Sequence, residues 1–102
     1  MAEEDADKTF GQVRTFEWDE SKRRSNVAKH GIDFDQAKDV FADPAAYTVA
    51  SPRSAGERRY VAVGKVKGIA MAVIFTLRGI AVRIISARVA RRSERQRYDA
   101  ES

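Results

Sequence analysis

The stretch E-R-R-Y-V-A-V-G-K-V-K-G-I-A-M-A-V-I-F-T-L-R-G-I-A-V-R-I-I-S-A-R-V, Glu57–Val89, decides the fold. It divides into three runs of strand character, Glu57–Val66, Ile69–Leu77 and Ile80–Val89, joined by Lys67-Gly68 and Arg78-Gly79. Two-residue connections with glycine second suit tight hairpins, because glycine reaches the positive φ such turns demand. The three runs predict an antiparallel meander. Met71–Phe75 is nearly continuous in apolar character, as a central strand covered on both faces would be.

Upstream, Val13–Trp18 alternates in a way that predicts a short strand with Phe16 and Trp18 inward. Asp19 is placed to cap a helix over Glu20–His30, and Gly31 to close it in the left-handed conformation. Val27 is the one large aliphatic residue of this helix, sharing a face with Arg23, Asn26 and His30. A helix that buries so little must be held by its neighbours or serve a partner. A second helix follows, capped by Asp33 with Gln36 placed for a reciprocal capping box. Its apolar stripe is Phe34, Ala37, Val40 and Phe41, and Asp43-Pro44 ends it. Tyr47–Ala50 reads as a short strand and Ser51–Gly56 as a loop. The last helix spans Ala90–Glu101, unless a Ser93/Gln96 capping box shortens it. The sum is an α+β fold: two N-terminal helices and a C-terminal helix packed on a twisted, mainly antiparallel sheet of about four to five strands.

Charge narrows the function. Net charge is +4 over 102 residues, yet Met1–Asp7 holds Glu3, Glu4, Asp5 and Asp7 and no base. Lys8–Ser102 therefore stands near +8, from nineteen bases and eleven acids. Residues 1–12 read as a flexible acidic extension, and residues 13–102 as a single domain. A domain this basic points to a nucleic acid, or an acidic protein that mimics one. Ala81–Tyr98 concentrates the charge, with six arginines against the single acid Glu94. No apolar run is long enough to span a membrane, and the acidic start does not read as a signal peptide. Cysteine is absent and histidine occurs once, so thiolate chemistry is excluded and no metal or other cofactor is expected. A cytoplasmic location fits this usage.

Strand parity sends Arg83, Ile85 and Ala87 to one face and Ile84, Ser86 and Arg88 to the other. An arginine in an apolar strand is expensive unless it is paired or opens on a cleft. The available pairing is a salt bridge to a helix acid, Asp35 or Asp39. On the last helix Arg91, Glu94, Arg95 and Tyr98 share a face. Cleavage of RNA by an attacking 2′-hydroxyl needs a base, an acid and cations for the developing charge. Cations abound here, and acid–base groups are few: His30, Glu57, Glu94, Lys29 and Tyr98.

Phe16–Ala37 (F-E-W-D-E-S-K-R-R-S-N-V-A-K-H-G-I-D-F-D-Q-A), V-F-A-D-P at Val40–Pro44, G-E-R-R-Y-V-A-V-G at Gly56–Gly64 and the run Arg83–Tyr98 resemble, in order, the BrnT toxins, whose fold is like that of RelE. The resemblance covers nearly the whole chain beyond the acidic extension. It implies the toxin of a type II toxin–antitoxin pair: a metal-independent endoribonuclease that cleaves mRNA and inhibits translation. It also implies neutralisation by a BrnA-type antitoxin, which carries the contact to operator DNA, and leaves room for a toxin dimer within a heterotetramer. Carried over by position, the candidate catalytic residues are His30, Glu57, Arg58, Arg83, Arg91 and Tyr98. Lys29, Arg59, Arg88, Arg92 and Arg95 are the candidate RNA-binding residues. The expected active face is where His30, Glu57–Arg59, Arg83 and the last helix converge. Two alternatives belong to other classes: a ParE-like toxin that inhibits a protein target such as DNA gyrase, and an inactive nucleic-acid-binding co-repressor.

Overall fold

The computed structural model describes residues 15–52 and 56–101. The acidic extension and the first two residues of the expected opening strand lie outside them. The elements are β1 (Thr15–Trp18), α1 (Glu20–His30), α2 (Phe34–Ala37) running into a 3₁₀ turn at Lys38–Ala42, β2 (Tyr47–Ala50), β3 (Tyr60–Val66), β4 (Ile69–Arg78), β5 (Ala81–Val89) and α3 (Arg92–Glu101). One five-stranded sheet has the order β1-β5-β4-β3-β2. β1 pairs with β5 in parallel, and all other pairs are antiparallel. The α+β architecture with its central β4 is the expected one.

Local chemistry explains the boundaries. Asp19 accepts from the amides of Ser21 at 2.8 Å and Lys22 at 3.1 Å, which starts α1. Gly31 closes it at φ +70°, its N–H donating to Val27. Asp33 caps α2 by accepting from Asp35, but its other oxygen takes the Arg23 guanidinium at 2.8 Å, so the cap is shared with α1 rather than with Gln36. The second helix is shorter than expected, because the chain tightens into the 3₁₀ turn after Ala37. At the β3–β4 hairpin Lys67 and Gly68 both have positive φ, as a twisted two-residue turn requires. The next hairpin is corrected by one position. Arg78 still pairs with Ala81, so the connection is Gly79-Ile80 with glycine first. β3 opens three residues later than read from the sequence.

Each face of the sheet has its own core. On one face the α1–α2 link, α2 and the 3₁₀ turn bury Ile32, Phe34, Ala37 and Val40 against Ala62, Met71, Val73, Phe75, Val82 and Ile84, with Phe16 and Trp18 packed alongside as expected. Phe41 meets Phe75 edge-on with centroids 5.0 Å apart, a favourable aromatic geometry. On the other face Tyr98 of α3 and Ala90, in the link before it, are buried against Val63, Ala70 and Ala72. Among the described residues that second core gathers at one end of the face.

Candidate RNA-binding groove

The other end of this face is shaped by a fault in the β4–β5 ladder. Ile74 pairs with Ser86 and Phe75 with Ile84, so Ile85 has no partner on β4. One extra residue resets the side-chain alternation beyond it. Arg83 (opposite Thr76) and Arg88 (opposite Ala72) therefore lie on the same face, together with Ser86. This overturns the simple parity reading, which separated the two arginines.

Arg83 is paired, but not with a helix acid. Its Nη1 donates to Glu17 Oε2 at 2.8 Å, across the parallel β1–β5 register that sets these residues side by side. Both side chains remain partly exposed. Arg88 is more firmly held. Its guanidinium meets the Glu94 carboxylate through two bonds of 2.7 and 3.1 Å, and both side chains are about four-fifths buried, at 20% and 19% exposure. Such a fork fixes the plane of the guanidinium. Glu94 Oε1 also accepts from the Arg91 amide at 2.7 Å. That is the return half of a capping box, and it starts α3 at Arg92 without Ser93. Burial pushes the Glu94 carboxyl up, but the bonds from Arg88 and the Arg91 amide outweigh it and hold the group below its ordinary range.

Val49, Val61 and Ile74 floor a groove of about 480 Å³, walled by Ala50, Ser51 and Pro52 on one side and by Arg88, Arg91 and Glu94 on the other. An apolar floor beside arginines suits a polyanion whose bases lie flat while its phosphates meet the rim.

The expected site residues do not all gather here. Arg88 and Arg91 line the groove, and Arg83 shares its face. Glu57 is exposed, with Arg78 3.8 Å away. Arg58 is exposed and is tied in through its carbonyl, which accepts from Thr76 at 2.8 Å. Arg59 is half-buried, its Nε enclosed without a partner among the described residues. Lys29 and His30 are exposed in the last turn of α1, where the Lys29 charge complements the helix dipole, and neither lines the groove. Arg92 and Arg95 are exposed on α3, and Arg95 borders a separate pocket with Lys65, Ile69 and Val89.

Tyr98 lies with the second core, 7% exposed, and its hydroxyl donates to Asp43 Oδ2 at 2.7 Å. Asp43 also accepts from the amides of Lys65 at 2.8 Å and Ala45 at 2.9 Å. Burial raises the Asp43 carboxyl, but these three donors together hold it low. Tyr47 adds a second tie, donating to the Glu94 carbonyl at 3.2 Å while Arg97 stacks over its ring at 4.4 Å. α3 is thus anchored by Tyr98 in its second half and by Tyr47 at its first turn, the turn whose Glu94 lines the groove.

Sequence reasoning passed over Glu17 and Asp43 and left Glu94 outside the named site. Glu94 carried a signal, being the single acid in an arginine-rich run and standing at the third helical position. Glu17 meets Arg83, and Asp43 meets Tyr98 and Lys65, only through the tertiary register. Among the described residues no helix is long and apolar enough to cross a membrane. No three His, Asp or Glu side chains among them cluster as metal ligands would.

A family model described as "Ribonuclease toxin, BrnT, of type II toxin-antitoxin system" matches residues 18–94. The matched span includes Arg83, Arg88, Arg91 and Glu94 and ends before Tyr98. No curated protein matches the chain.

Proposed function

The chain belongs to the BrnT family of ribonuclease toxins of type II toxin–antitoxin systems, and from that premise we propose that it cleaves mRNA in the groove between β2 and the first turn of α3. The observation that carries this is the joining of Arg88, Arg91 and Glu94 over the apolar floor of Val49, Val61 and Ile74. Arg88 and Arg91 hold the scissile phosphate and stabilise its developing charge. Arg83, at the far side of the same face, meets a neighbouring phosphate. Glu94 orients Arg88. As a carboxylate held below its ordinary range it is a weak proton acceptor, so positioning and charge supply most of the rate. The reaction is attack of a 2′-hydroxyl on the adjacent phosphorus, its proton passing to solvent, with the P–O5′ bond breaking and the departing 5′-oxygen taking a proton from solvent. It needs no metal and leaves a 2′,3′-cyclic phosphate. Tyr98 stands outside this machinery.

The partner we propose is an acidic antitoxin segment of the BrnA type, laid along the groove and across the exposed polar face of α1. Contact with operator DNA then belongs to the antitoxin, and the toxin acts on cytoplasmic mRNA. Purified full-length chain incubated with single-stranded RNA in the absence of antitoxin tests the activity. Cut RNA with cyclic phosphate ends is expected. Intact RNA with folded protein that still arrests growth would overturn the reading in favour of a protein target.

A further inference from the structure

We propose that Asn26, on α1 and outside the groove, is a positioning residue for Arg88; the proposal rests on the groove being the RNA site. Asn26, 5% exposed, is the one buried residue of α1. Every hydrogen-bonding position of its amide is used. Nδ2 donates to the carbonyls of Ile32 and Ala87, each at 2.9 Å. Oδ1 accepts from the Ala87 amide at 3.0 Å and from the Ser86 hydroxyl at 3.3 Å.

The place of these bonds gives them their meaning. β1 pairs with β5 only as far as Trp18 opposite Ile84. Beyond that point β5 is an edge, and the extra residue Ile85 loosens it further. Ala87 is the first residue past the bulge whose N–H and C=O are claimed from the outer side. A single side-chain amide takes both, as one peptide group of a longer β1 would. Pinning both backbone groups of Ala87 fixes the direction in which its neighbour Arg88 leaves the strand. A slip of one residue would turn Arg88 to the opposite face and away from Glu94. Arg88 is thus held twice, by Glu94 at its guanidinium and by Asn26 through the backbone.

The test is a double-mutant cycle on RNA cleavage. Asn26→Asp keeps the shape but replaces both donors with an oxygen facing two carbonyls. The expected result is a fall in kcat of about tenfold at neutral pH, with KM changed less than about threefold. Relative to wild type, activity should partly return in mild acid, where the buried carboxyl takes a proton and donates again. With Arg88→Ala already present, Asn26→Asp should lower the rate by no more than about twofold, since its route of action is gone. A full tenfold loss in that background would make Asn26 merely structural and overturn the proposal. If Asn26→Asp does not fold, Asn26→Ser enters the same cycle. Hydrogen exchange on the wild-type chain gives an independent check: the Ala87 amide should be protected like the paired amides of β4, and rapid exchange would also overturn the proposal. A wild-type chain that cuts no RNA would defeat the groove assignment, whereas an additive cycle in an active enzyme defeats the positioning role alone.

Discussion

Arg83 and Arg88 leave β5 on the same side of the sheet, because Ile85 is an extra residue with no partner on β4. In an uninterrupted strand residues five apart face opposite ways. The bulge converts two unrelated arginines into one cationic face, bounded by Glu17 at one end and Glu94 at the other.

That shared face predicts a salt signature. Binding of a non-cleavable single-stranded RNA should weaken linearly in log–log plots against salt. Arg83→Ala and Arg88→Ala should each reduce the slope by about 0.7, the share of one single-strand phosphate contact. Filter binding from low to moderate salt measures it. An unchanged slope in the Arg83 variant would remove that residue from the interface.

Glu94 predicts a pH dependence. A carboxyl held below its ordinary value binds protons less readily in the folded than in the unfolded chain. Its stabilisation is therefore complete above the ordinary carboxylate range and is lost as pH falls through the depressed value. Glu94→Gln should cost about 1–2 kcal/mol near neutrality, given the partial exposure of the pair, and should flatten the acid limb of the stability curve. Urea melts from pH 7 down to pH 3 would show it. An unaltered acid limb would mean that other carboxylates dominate.

Tyr98 predicts a separation of stability from activity. Tyr98→Phe removes the donor to Asp43 but keeps the ring in its core. Thermal stability should fall, while the cleavage rate stays within about twofold of wild type. Paired melting and cleavage assays check this. A loss of rate without a loss of stability would restore Tyr98 to the active site.

Gly64 tests the packing beneath the 3₁₀ turn. A Cβ there would sit 3.0 Å from Ala46 Cβ, 3.1 Å from Val40 Cγ1 and 3.2 Å from Asp43 Oδ2. Gly64→Ala should therefore destabilise by about 1–3 kcal/mol, the usual cost of overpacking. Denaturant unfolding measures it, and an unchanged midpoint would show that the turn yields freely.

The parts of this fold that follow from local chemistry were legible in the chain. Asp19 and Gly31 bracket α1 as their capping preferences require, and Lys67-Gly68 forms the turn its composition implies. The site was less legible because it depends on register. Ile84 and Ile85 are both apolar, so no alternation reveals which one is extra. Glu17 finds Arg83 only through a parallel pairing between the first and last strands. Asn26 reads as one more polar residue on a polar helix until β1 is seen to stop at Trp18. The six arginines of Ala81–Tyr98 likewise looked equivalent, yet only Arg88 and Arg91 line the groove.

The most direct measurement is single-turnover cleavage of a defined single-stranded RNA by wild type and by Arg88→Ala, with folding of both confirmed by circular dichroism. Wild type should cleave, and the variant should lose about 10²-fold or more, the scale set by removing one preorganised cation or donor from a charge-stabilising site. Equal rates in the two folded proteins would contradict the assignment of the groove.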